Sequence, residues 1–105
     1  MLDAGQKVAI DTDLQIVEDV LGDFEDQNRL HPEDAESIEE IIPDLERAQM
    51  LATENDDSML ETRMRKVLNK FANIDGRRIS STGQQKELEN VLWAKEIIET
   101  AREEM

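Results

Sequence analysis

Apolar residues recur along most of the chain at intervals of three and four, the spacing that gathers side chains on one face of an α-helix. The first such stripe is Leu14, Val17, Leu21 and Phe24. Thr12 and Gln15, just ahead of it, have capping-box spacing: the hydroxyl accepts a free N–H and the Gln side chain reaches back, so a helix is expected from Thr12. Residues 1–10 show no stripe of their own and include Ala4-Gly5. They read as a flexible or docking N-terminal arm ahead of a helical domain over 11–105. Gly22 interrupts the stripe with a residue that costs a helix about 1 kcal/mol against alanine, marking a close helix crossing or an early end.

His31-Pro32 breaks the pattern, because proline disfavours helical geometry in the residue before it while suiting the first turn of a new helix. Ile38, Ile41 or Ile42, Leu45, Ala48 and Ala52 then form a stripe that runs straight through Pro43. A proline at that depth either kinks one helix or opens another, and two helices, 32–42 and 43–53, are the reading adopted. Asn55-Asp56-Asp57-Ser58 is a run of capping residues, with Ser58 and Glu61 again at capping-box spacing. Leu60, Met64, Val67 or Leu68 and Phe71 make the next stripe, closed by Asn73-Ile74-Asp75-Gly76. A last helix is expected from Ser81 or Thr82 to about residue 100, with Leu88, Val91, Leu92, Ile98 and Ala101 inward.

Four to five amphipathic helices on short links predict an all-α protein, a compact helical bundle forming a single domain. Composition agrees. The chain of 105 residues has the length of one domain, and four glycines and two prolines are too few to punctuate a many-stranded sheet. Phe24, Phe71 and Trp93 are the only aromatic residues, so the core must be aliphatic. The absence of cysteine excludes disulfides, thiolate zinc sites and a cysteine nucleophile. With no long apolar run, neither a signal peptide nor a membrane span is visible, and a cytoplasmic protein with no membrane role is expected.

Charge changes the picture more than composition does. The net charge of -14 disfavours direct binding to nucleic acid or to anionic lipid. It is unevenly spread. Residues 1–61 hold 19 acids against three bases, whereas residues 62–78 hold six bases against the single acid Asp75. Arg63, Lys66 and Lys70 recur at helical spacing, and Arg77 and Arg78 would extend the patch from the following loop. Such a patch fits an anion, but the surrounding negative charge repels one, so it reads first as bases that neutralise the protein's own acidic helices or face water. In the acidic half, Asp19, Asp23 and Asp26 form one ridge and Glu33, Glu36 and Glu40 another. Carboxylates arrayed in this way can stand in for a row of phosphates, although a charged outer face is also what any exposed helix carries.

Glu36-x-x-Glu39 followed by Glu54-x-x-Asp57 has the spacing of the magnesium-binding carboxylates in the all-α nucleoside-triphosphate pyrophosphatases, which it resembles in this respect alone. If the two pairs lay on facing helices they could converge on a magnesium ion that grips phosphates and activates water. A chain this rich in acids matches so loose a pattern easily, and Asp57 falls within a run of capping residues. Asn73-Ile74-Asp75-Gly76 is no calcium loop, since aligning its glycine puts Phe71 and Thr82 at the two end positions that need oxygen ligands. His31 stands without a second histidine or a cysteine, so it reads as a cap or link residue. Met50, Met59 and Met64 are expected in the core.

The chemistry therefore points away from catalysis and requires no cofactor. The expected function is a small acidic helical protein that binds a macromolecular partner, as an adaptor, an assembly chaperone or an inhibitor. That partner is expected to be a protein with a basic surface. Leu92, Trp93 and Ile97 spread apolar surface around the last helix and are the candidate anchor for that partner or for a homodimer seam. A magnesium-dependent nucleotide pyrophosphatase is the alternative from another class.

Overall fold

The computed structural model describes residues 4–74, 79 and 81–104. Within them lie four helices: α1 (Ala4–Gly22), α2 (Asp34–Glu54), α3 (Ser58–Ala72) and α4 (Gln85–Glu104). Among the described residues, no helix is long and apolar enough to cross a membrane. Of the expected arm over 1–10, residues 4–10 form the first turns of α1, and residues 1–3 lie outside the described part of the chain. The helix does not wait for Thr12. Ile10 sits one turn before Leu14 and is fully buried with Leu14, Val17 and Leu21, so the stripe begins earlier than the capping pair suggests. Thr12 is exposed in mid-helix.

Pro43, expected to separate helices 32–42 and 43–53, lies inside α2 and does not divide it. Its ring is exposed, and its missing N–H costs one intrahelical bond on that outer side. Ile38, Ile41, Leu45, Ala48 and Ala52 are all buried, so the packed face passes without a break beneath the proline. Among the described residues the bundle therefore has four helices, the lower of the expected four to five.

Each helix meets the next in sequence, and α1 also meets α4, which closes a ring of four. Side-chain pairs give the directions. Asp13 of α1 meets Arg47 of α2, and Arg102 of α4 reaches back to Asp11 near the start of α1. Arg63 near the start of α3 meets Glu104 at the end of α4, whereas Lys70 near its end lies over Trp93. All neighbours run antiparallel, the up-down-up-down order that short links favour. The stripes converge on one aliphatic core, closed at one end by Phe24, Leu30, Ile74 and Ile79 from the links. Met64 belongs to that core, but Met50 and Met59 are more than half exposed and do not.

Two links carry the turning chemistry. At the α2–α3 turn, Asp56 takes a left-handed φ of 56°. Its N–H donates to the carbonyl of Thr53 and that of Asp57 to the carbonyl of Ala52, the paired bonds of a Schellman ending. Asp57 then caps α3, its Oδ1 accepting from the Leu60 N–H at 3.1 Å, one residue earlier than the Ser58–Glu61 pairing implies. At the opposite end, the α1–α2 and α3–α4 links are tied by two backbone bonds of 2.9 Å between Leu30 and Gln84. Gly83 makes this approach possible. Its φ is +88°, and a Cβ there would stand 2.8 Å from Arg29 Cβ and 3.0 Å from the His31 ring. His31 is thus a link residue, with its N–H donating to Asp34 Oδ2 at 2.8 Å. Gly22 carries no such demand: a Cβ would meet only the Lys95 stem, at 3.8 Å.

The two turns make opposite predictions for urea unfolding. Gly83→Ala combines a left-handed φ with a clash against Arg29 Cβ and the His31 ring and should destabilise the fold by about 1–3 kcal/mol. Asp56→Gly relieves a left-handed non-glycine residue and should leave stability unchanged or raise it by about 0.5–1 kcal/mol.

Candidate functional site

The four carboxylates of the magnesium reading do not come together. Glu36, Glu39 and Glu54 lie on the single helix α2, so Glu39 and Glu54 are separated by roughly 22 Å of helix rise. Asp57 is occupied as the α3 cap. Among the described residues, no group of three or more histidine, aspartate or glutamate side chains is placed to hold a metal ion. The spacing would have converged only had Pro43 split the helix and folded its halves face to face.

The acidic residues lie at one end of the α1–α2 pair, but Asp23 and Asp26 fall beyond α1 and make no helical ridge with Asp19. Asp19 and Asp23 end α1 and begin its link, Asp26 follows, and Glu33, Glu36 and Glu40 open α2, its antiparallel neighbour. All six are exposed, and among the described residues none is ion-paired. The helix dipole treats the two sets differently. Glu33 and Glu36 lie at the positive end of α2, where negative charge is stabilising by about 0.3–1 kcal/mol each. Asp19 and Asp23 lie at the negative end of α1, which has no basic residue in its last turn. Helix stability explains the first pair and opposes the second.

The basic segment is partly spent inside the molecule. Arg63 pairs with Glu104, whose carboxyl it pulls below the ordinary range, and Arg65 lies 3.9 Å from Glu61. The Lys70 ammonium stands 5.5 Å from the centre of the Trp93 ring. Lys66 is exposed, while Arg77 and Arg78 lie outside the described residues. Two bases outside that segment join α4 to α1 and its link. Arg102 spans Asp11 and Glu18 of α1, and Lys95 spans Glu25 and Glu99. These contacts raise the Lys95 pKa, through its bonds to Glu25 and then Glu99, and that of Arg102, through Asp11 and then Glu18.

Leu92, Trp93 and Ile97 are half-buried and pack on the core while keeping an outer edge. Leu92 and Trp93 line an open groove of about 510 Å³ together with Glu25, Glu89, Lys95, Glu96 and Glu99. Sequence reading found the apolar residues but missed the carboxylates around them. The signal was there in Glu89, Trp93 and Glu96, which stand four and three residues apart and so share one helix face.

Asp13 was missed as well. It is 4% exposed on the inner side of α1. Its Oδ1 lies 3.5 Å from Arg47, and its Oδ2 is buried without a hydrogen-bond partner. Burial pushes its carboxyl above the usual range, opposed by Arg47 and assisted by the nearby Asp44. No family model matches the chain, and no curated protein or solved structure matches it.

The raised Asp13 pKa has a definite sign. Between the ordinary value of 3.8 and the raised one, the folded chain holds a proton that the unfolded chain has released, so this residue's contribution to stability falls as pH rises. Asp13→Asn removes the buried charge at nearly constant volume. It should exceed the wild type by on the order of 1 kcal/mol in urea unfolding at pH 7, with the gap narrowing as pH is lowered through that window. A gap that stays constant with pH would show that Asp13 titrates alike in the folded and unfolded chain.

Proposed function

We propose that this chain acts without catalysis, by binding a macromolecular partner that presents a basic surface, in the manner of an adaptor, an assembly chaperone or an inhibitor. One observation carries the reading. Six exposed carboxylates without ion pairs among the described residues crowd the adjoining ends of α1 and α2, while Arg47, Arg63, Lys95 and Arg102 are engaged across helix seams. Asp19 and Asp23 stand where the helix dipole makes them unfavourable, so folding gives no reason for them. A partner's lysines and arginines would.

Along the start of α2, steps of three and four residues put Glu33, Glu36 and Glu40 about 4.5–6 Å apart in helix rise, while Asp23 and Asp26 follow Asp19 in the link after α1. The α2 row, with the link carboxylates at the same end, offers a basic groove repeated negative charge, and phosphate mimicry is the sharper form of the proposal. Binding of this kind is steered by charge and weakens steeply as salt shortens the screening length.

The test uses the full chain as bait in source-cell lysate, eluted over a salt gradient. It is compared with a variant carrying Asp19→Asn, Asp23→Asn, Asp26→Asn, Glu33→Gln, Glu36→Gln and Glu40→Gln. The wild type should retain one dominant basic protein that leaves at low salt, and the variant should bind it at least about tenfold more weakly. Equal retention by both, or no partner at any salt, would contradict the proposal. Asp19→Asn with Asp23→Asn alone should also raise the urea midpoint slightly, separating lost binding from lost folding.

A further inference from the structure

The groove between α4 and the end of α1 has a chemistry of its own. Lys95 lies in it, but that ammonium is already held by Glu25 at 2.6 Å and by Glu99. Glu89 and Glu96, one turn to either side of Trp93, are exposed and without an ion pair among the described residues. Four carboxylates thus line the groove against one ammonium. Between them Leu92 and the Trp93 indole supply an apolar floor, anchored on the core beneath.

The indole also serves as a cation platform in this protein. Lys70 sits over it from α3, whereas no residue of α3 lines the groove on the α1 side. A side chain suited to the groove must therefore combine a positive charge, a flat or apolar body that can lie on the ring, and donors that reach two carboxylates. Arginine meets all three demands. Its guanidinium stacks on aromatic faces and forks onto carboxylates, and it gives up its hydration more readily than an ammonium does.

We propose that this groove seats an arginine side chain of the basic partner, with Trp93 as the platform and Glu89 and Glu96 as the acceptors. The inference rests on the binding function above and assigns it an anchoring point. Glu25 lies between Asp23 and Asp26 in sequence, so groove and acidic cluster flank the same end of α1 and a single partner surface can span both. The cluster would supply long-range attraction and the groove would supply side-chain selectivity.

Trp93 is the only tryptophan in the chain, so its emission reports on the groove directly. The full-length protein is titrated at low salt with an acetylated, fluorescein-labelled hexa-arginine peptide, and separately with the hexa-lysine equivalent. Peptide anisotropy follows binding and Trp93 emission follows the groove. Hexa-arginine should shift the emission saturably and bind more tightly than hexa-lysine. Glu89→Gln with Glu96→Gln should weaken it by about tenfold and abolish the arginine preference, with unchanged circular dichroism. An unmoved Trp93 signal, or no difference between the two peptides, would overturn the groove assignment. If binding by anisotropy then persists and is lost on neutralising Asp19, Asp23 and Asp26, the acidic-cluster reading stands while the groove falls. If neither peptide binds at all, both fall together.

Discussion

A chain of net charge -14 folded into a narrow bundle must hold its helices together against their own repulsion, and the bases at the helix seams are what make that arrangement workable. Arg102 and Lys95 join α4 to α1 and its link, Arg63 joins α3 to α4, and Arg47 joins α2 to α1. The remaining seam, α2 to α3, is closed by a three-residue turn and by Gln49 donating to Glu61 at 3.2 Å. These four bases are used at the seams, and on the outward faces carboxylates outnumber exposed bases such as Arg29, Lys66 and Lys86 among the described residues. The candidate surfaces follow from that division.

The bulk of the stability lies elsewhere. Burying a leucine, isoleucine or phenylalanine side chain is worth about 1.5–3 kcal/mol, whereas an exposed ion pair contributes about 0–1 kcal/mol. The aliphatic stripes therefore drive assembly, and the seam ions set register and limit repulsion. Asp13 runs against this economy, being a carboxylate placed inward with one oxygen unpartnered. Through Arg47, which lies 3.5 Å from it, a seam ion reaches toward the core.

Much of the fold was legible in the sequence, because burial at intervals of three and four is what an antiparallel bundle demands of each helix. The α2, α3 and α4 stripes can be read directly, and so can the cluster of capping residues at 55–58. What failed was punctuation. Thr12-x-x-Gln15 has the form of a helix start but lies within α1, since Ile10 already packs in the core. Pro43 has the form of a break but faces outward, where one missing hydrogen bond is tolerated. That single misreading also supported the metal site, since two facing helices were needed to bring Glu39 and Glu54 together. The site was half legible: the apolar anchors and the acidic residues stand out by type and spacing. The groove depends on which helices adjoin, a tertiary fact that spacing within one helix does not contain.

Among Arg47, Arg63, Lys95 and Arg102, the role of seam ion is tested most directly at Arg102, which grips two carboxylates of another helix with a part-buried side chain. Urea unfolding of the wild type and of Arg102→Met, at about 20 mM and about 500 mM sodium chloride, spans screening lengths from roughly 20 Å to roughly 4 Å. The variant should lose on the order of 1 kcal/mol at low salt, because Asp11 and Glu18 are left facing each other's charge, and most of that loss should vanish at high salt. A variant as stable as the wild type at low salt, or a loss that salt leaves untouched, would contradict the division of charge on which the proposed binding surfaces rest.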